Sequence, residues 1–123
     1  MKRFYLMLAA LAAVLFLPAT HAVAAPAHNL VVANHVVKVQ DTDRDQQKWV
    51  YVPEQVTLHV GDTVTWDMVG AQVSHTATAD DGSWDSGYII PGGKWTYKFT
   101  KAGDVPYHCT PHPWKKGVIH VTP

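Results

Sequence analysis

Beyond residue 30 the chain alternates apolar and polar residues in short runs, with turn signals between them. Leu30 to Gln40 is rich in valine and sets Ala33, His35, Val37 and Val39 on one parity. Val56, Leu58 and Val60 alternate with Thr57 and His59. After a turn at Gly61-Asp62, Thr63-Val-Thr-Trp-Asp67 returns with Val64 and Trp66 on the apolar side. The clearest alternation comes after Gly92-Gly93, where Trp95, Tyr97 and Phe99 face Lys94, Thr96, Lys98 and Thr100. Val105, Tyr107 and Cys109 then share a parity that turns His108 away from Cys109, and Val118–Thr122 closes the chain. Strand side chains point to opposite faces in turn, so each run predicts a strand with one buried face.

The connections are polar or short. Asp41–Gln47 carries three aspartates at alternate positions, but no glycine or terminal glutamate completes a calcium loop, so it is expected to be a solvated connection. Trp49–Val52 is a short extended piece ended by Pro53, Met68–Gln72 is a loop, and Asp80–Ser83 and Lys101–Asp104 are turns. Past residue 30 no segment has helical period. Short, regularly spaced strands predict one all-β domain, an antiparallel β-sandwich.

The amino terminus differs from the rest. Met1-Lys-Arg3 is basic, Phe4–Leu17 is an unbroken apolar run of 14 residues, and small residues continue to Ala24. This is the pattern of a cleaved secretory signal peptide, with cleavage expected after Ala22 or Ala24, and the run is too short to span a bilayer. Residues 1–24 are therefore expected to be the signal and 25–123 the domain. No cysteine directly follows the apolar run, so no lipid attachment point is expected there.

Charge excludes some partners. Of ten basic residues, Lys2 and Arg3 leave with the signal, so eight face ten acidic ones and the mature net charge is −2. No basic run favours nucleic acid or an anionic membrane surface.

One cysteine, Cys109, cannot form an internal disulfide in an oxidising compartment, and its thiol needs another explanation. His112 stands three residues on, between Pro111 and Pro113. A thiolate and an imidazole on one stiffened loop are two ligands for a soft or borderline metal, and His75 is the candidate third. His, Cys and His together make the donor set of a trigonal copper–thiolate centre. The histidines at 28, 35, 59, 108 and 120 read as scattered strand-face residues.

Val60-Gly-Asp-Thr-Val-Thr-Trp66, Ser74-His-Thr76, Asp85-Ser-Gly87, Pro91-Gly-Gly93, Tyr97-Lys-Phe-Thr100 and Tyr107-His-Cys-Thr-Pro-His-Pro-Trp114 together resemble the cupredoxins, small blue-copper proteins of the plastocyanin, amicyanin and pseudoazurin group. The resemblance spans about Trp49 to Val121. It implies a Greek-key β-sandwich with one copper ion held by His75, Cys109 and His112, and a Thr76 backbone N–H bonded to the sulfur. Many relatives have asparagine where Thr76 stands, so a side-chain brace there would be altered.

The axial position departs further: short-loop members usually carry methionine three residues after the loop histidine, where this chain has Lys115. A lysine ligates only as the neutral amine, from an ordinary pKa of about 10.4. Lys115 is expected to swing out beside Lys116 or to interact weakly, leaving copper three-coordinate or with a water or the Ser74 carbonyl as fourth ligand; the alternative is that burial and a nearby cation deprotonate it and it fills the axial position itself. Met68 is an outside candidate for a replacement thioether.

These features imply a periplasmic one-electron carrier rather than an enzyme, since one mononuclear site without a cleft or base pair offers no catalytic machinery. The alternative is copper sequestration or tolerance. His112, ringed by Pro111, Pro113 and Trp114, is the expected electron port and docking point for a redox partner protein. The carrier is expected to be a monomer.

Overall fold

The computed structural model describes residues 31–123. The signal peptide expected over residues 1–24, and the boundary at 25, lie outside the described residues. Eight strands form two four-stranded sheets. The first takes β2 (Val50–Val52), β1 (Asn34–Gln40), β4 (Thr63–Asp67) and β6 (Lys94–Lys98), in that order. The second takes β3 (Gln55–His59), β8 (Lys116–Thr122), β7 (Gly103–His108) and β5 (Thr78–Ala79). Among the described residues no helix is long and apolar enough to cross a membrane.

The sandwich agrees with the expectation, but its sheets are not purely antiparallel. β1 runs parallel to β4 and β3 parallel to β8, while the other four pairings are antiparallel. Strand alternation specifies a buried face and says nothing of a neighbour's direction, which depends on where the chain crosses between sheets. Asp62 fixes one such crossing. Its Oδ1 accepts from the Ala33 N–H at 2.8 Å and its Oδ2 from the His59 N–H at 3.0 Å, tying the start of β1 to the β3–β4 turn. Gly61 makes that turn with φ of 100°, a conformation that only glycine adopts without strain.

The inward faces match the sequence pattern: Val37 and Val39, Val56 and Leu58, Val64 and Trp66, Tyr107, Ile119 and Val121 are all buried. Between the layers Tyr51 of β2 packs on Tyr107 of β7 with ring centroids 4.8 Å apart, and Trp66 of β4 meets the same ring edge-on at 5.5 Å. Trp95 and Tyr97 only partly bury against this core. Aromatic pairs in these offset and edge arrangements add to the area they bury.

β7 and β8 form a hairpin whose register sets Tyr107 opposite Gly117 and His108 opposite Lys116. The hairpin loop, residues 109–115, carries the chemistry. Gly117 lets the Tyr107 ring lie across the neighbouring strand, because a Cβ there would stand 2.5 Å from three ring and hydroxyl atoms. Gly117→Ala is expected to destabilise the protein by about 1–3 kcal/mol by overpacking. Denaturant unfolding checks this, and the penalty should shrink in a Tyr107→Leu background.

Candidate metal centre

Two segments converge at one end of the sandwich. The first is anchored by reciprocal backbone bonds: the His75 N–H donates to the Ile89 carbonyl at 3.1 Å, and the Ile89 N–H returns to His75 at 2.8 Å. The second is the hairpin loop, which closes on itself. The Cys109 N–H donates to the Lys115 carbonyl at 3.0 Å, the His112 N–H to Cys109 at 3.1 Å, and the Lys115 N–H to His112 at 2.9 Å. Pro111 and Pro113 lock their own φ and stiffen this turn.

The loops meet at the sulfur. Cys109 Sγ lies 3.7 Å from His75 Nδ1 and 3.5 Å from His112 Nδ1. Each of these sulfur–nitrogen separations suits a pair of atoms sharing one ion at roughly 2.0–2.3 Å, the usual range for metal–nitrogen and metal–sulfur bonds. Among the described residues, His75, Cys109 and His112 are the single group of three or more such side chains whose donor atoms all lie within 4.8 Å. His75 and Cys109 are wholly buried and His112 is half-buried. The set thus has one edge toward solvent.

The Thr76 N–H points at the sulfur at 3.4 Å, as the resemblance implies. A side-chain brace is also present, made by hydroxyls: Thr76 Oγ1 accepts from the Thr110 N–H at 2.8 Å and contacts the Thr78 and Thr110 hydroxyls at 2.9 and 3.3 Å.

The expectation that Lys115 swings out to solvent beside Lys116 is not met. Its side chain is 1% exposed and turned inward. Nζ lies 2.7 Å from His75 Nδ1 and 4.7 Å from the centre of the Tyr51 ring. The physical reason is parity: residues 115, 117, 119 and 121 all face inward, so the alternation of β8 already runs into the loop's last residue, while Lys116 points out. Cation–π contact with Tyr51 helps to hold the charge there. The Tyr51 hydroxyl in turn donates to the Thr76 carbonyl.

Two residues of the surroundings escape a sequence reading. Asp41, expected in a solvated loop, is 2% exposed. Its Oδ2 stands 3.0 Å from His75 Nε2 and accepts the Gln72 and Val73 N–H groups at 2.8 and 3.2 Å. Trp49 packs edge-on against both rings, 5.9 Å from His75 and 5.0 Å from His112, and its Nε1–H donates to the Asp43 carbonyl at 2.8 Å. Trp114 meets His112 at 5.5 Å and donates through Nε1–H to the Gln46 carbonyl at 2.6 Å. For Asp41, the end of the β1 alternation offers a weak signal: residues 37, 39 and 41 share an inward parity. Met68 is fully buried in the apolar core.

Burial sets the protonation states. It pushes His75 below its ordinary value, against the Asp41 hydrogen bond and with help from the Lys115 charge. Burial, then Lys115, does the same to His112. Both rings are therefore held neutral, the form that ligates. Asp41 is lowered: burial opposes ionisation, but the bonds from His75, Gln72 and Val73 outweigh it. Lys115 is brought down by burial to about 8, while the Cys109 and Asp41 charges pull it back up.

Among the described residues, the other histidines each face a carboxylate instead. His35 Nε2 and His59 Nδ1 lie 3.5 and 4.0 Å from Asp62, His108 lies 2.5 Å from Asp80, and His120 lies 2.8 Å from Asp104. They agree with the reading as scattered strand-face residues, and His28 lies outside the described residues.

No protein-family model matches this sequence. Amicyanin from Paracoccus denitrificans is 31% identical over 81 residues, which span 63% of this chain and 62% of that protein's length. Among solved structures, the oxidized form of an amicyanin variant with one methionine replaced by lysine matches with a TM-score of 0.60 at 29% identity. The reduced Cu(I) form, at pH 4, of a proline-to-glycine amicyanin variant matches with a TM-score of 0.59 at 27% identity. Each structural match covers 72% of this chain and 82% of the other. These likenesses and the donor set support one copper ion.

Lys115→Met tests the buried charge. Lysine binds its proton less tightly in the folded state, so between pH 8 and about 10.5 the unfolded chain holds more protons and stability rises with pH. Urea unfolding of the metal-free proteins should show that rise in the wild type relative to Lys115→Met. At pH 7 the variant should be the more stable by roughly 1–3 kcal/mol, since it carries no ion to desolvate.

Proposed function

The chain is a cupredoxin-like protein, and we propose that it is an exported one-electron carrier of the periplasm whose copper ion is held by His75, Cys109 and His112. The observation that carries this reading is the buried triangle of one sulfur and two Nδ1 atoms. When bound there, one copper ion supplies electron exchange between the Cu(I) and Cu(II) states. The protein's part is to keep three donors in a single arrangement acceptable to both states. The reciprocal His75–Ile89 bonds, the self-closed loop and the Thr76–Thr110 brace hold them from two sides. The Thr76 N–H withdraws electron density from the sulfur. Export rests on the signal peptide expected over residues 1–24, and a coordinated thiolate is kept out of disulfide exchange in an oxidising compartment.

His112 is the port, because it alone of the three has an exposed edge. Pro111 and Pro113 beside it are exposed. Tyr88 and Ile90, 69% and 65% exposed, flank the residue whose backbone pairs with His75. An apolar surface of this kind suits brief docking of a redox partner protein.

Lys115 would be the fourth residue to hold the ion. His75 Nδ1 has one lone pair, so it cannot ligate and also accept from Lys115. Loading the site would free the amine from that bond, and Lys115, as the neutral amine, would then be placed to offer a fourth donor. Burial has already lowered its proton affinity, and a metal cation lowers it further.

Titration of metal-free protein with Cu(II) should develop an intense thiolate-to-copper absorption at one equivalent. Cys109→Ser should abolish it; colour retained in that variant, or colourless stoichiometric binding by the wild type, refutes the assignment. Lys115→Met should raise the reduction potential, because a nitrogen donor favours Cu(II) more than a thioether does. A fall would show that the lysine stays an ammonium. A second tightly bound ion with slow electron self-exchange would favour sequestration over transfer.

A further inference from the structure

We infer that Asp41 is the positioning residue of the centre: its buried carboxylate holds His75 as the Nε2–H tautomer, with Nδ1 aimed at the sulfur, and its charge favours the oxidised ion. The inference rests on the copper reading only for its second half.

The geometry leaves one arrangement. Asp41 Oδ2 is 3.0 Å from His75 Nε2 with both side chains fully buried. A carboxylate there can only accept, so Nε2 carries the proton. On the other side, Nδ1 lies 2.7 Å from Lys115 Nζ, a group that only donates while charged. Donor and acceptor roles alternate along the chain Lys115, His75, Asp41, and they agree on a neutral ring with its lone pair at Nδ1. Lys115, donating to Nδ1, favours the same tautomer from the other side, so the part played by Asp41 is isolated where residue 115 cannot donate. Without either group a share of the rings would offer the sulfur an N–H.

The carboxylate is itself fixed. Three donors meet at Oδ2, namely His75 and the Gln72 and Val73 backbone N–H groups, while Oδ1 is buried without a partner. The bonds to Gln72 and Val73 also latch the end of β1 onto the segment that leads into His75. A pure latch and a positioning residue differ in what they do to the ring and to the metal. A negative charge one ring away from the ion attracts Cu(II) more than Cu(I), and burial keeps water from screening it. Ligating histidines are commonly oriented by a carboxylate in this way.

Two substitutions separate the roles. Asp41→Asn keeps a carbonyl oxygen for the three donors and puts its NH₂ where Oδ1 has no partner, so latch and tautomer persist without the charge. Asp41→Ala removes all of them. On the metal-free full chain, ¹⁵N correlation spectra of the His75 ring should show the Nε2–H form in the wild type, in Asp41→Asn and in Lys115→Met, and a mixture when Asp41→Ala is combined with Lys115→Met. Copper affinity should fall about 10- to 100-fold in Asp41→Ala. The reduction potential should rise in Asp41→Asn with the fold unchanged by circular dichroism. A pure Nε2–H ring in the double variant Asp41→Ala, Lys115→Met overturns the tautomer lock. An unshifted potential in Asp41→Asn overturns the charge effect. Should Asp41→Ala not fold, the Nδ1–H form in the wild type would still overturn the assignment. A wild type that takes no copper refutes the copper reading alone, because the ring is read without metal.

Discussion

Everything at this end of the molecule depends on two loops, joined through residues 34 apart in sequence, being pulled onto one sulfur. The Thr76 N–H reaches Cys109 Sγ, the Thr110 N–H reaches the Thr76 hydroxyl, and the His75 ring comes in beside them. A sulfur accepts only weakly, so the alignment is enforced by stronger bonds behind it: the His75–Ile89 pair on one side and the loop's own closure on the other. The β-sandwich matters because it makes both supports rigid. Gly117 under the Tyr107 ring is part of that support, since it lets β7 and β8 bring the loop ends together over an aromatic core.

The second constraint is electrostatic. A buried carboxylate, two imidazoles, a thiol and an amine share a space largely closed to water, where an unpaired charge costs several kcal/mol. The structure answers by ordering signs along a line. Asp41 lies at one end, Lys115 at the other, and a neutral ring joins them. Lys115 also rests over the Tyr51 ring. In this arrangement the lysine is a member of the site, and its depressed proton affinity is the expression of that burial. A thioether in its place would carry none of this coupling, so the lysine at this position changes the charge of the buried cluster.

Much of this architecture is legible in the sequence. Period-two alternation in β3, β4 and β7 names the buried residues because each strand has one face in the core and one in water. A lone cysteine three residues from a histidine, between prolines, carries the loop's chemistry in its spacing alone. Strand direction is different: two of the pairings are parallel, and nothing in local alternation records which strand a neighbour will be. Lys115 and Asp41 mislead a sequence reading for one reason. Both are ionisable residues at the edge of a loop, where composition argues for solvent, yet both continue the inward parity of the strand beside them.

The strands, their buried faces and the three candidate metal-binding side chains can be had from the order of residues alone, because they arise from local period and from the chemistry of single side chains. That residue 41 meets residue 75, that residue 115 turns inward, and that Trp49 covers both imidazoles were settled by the folded chain. Those are contacts between segments distant along the chain, and they exist only once two sheets have closed on each other and excluded water from between them.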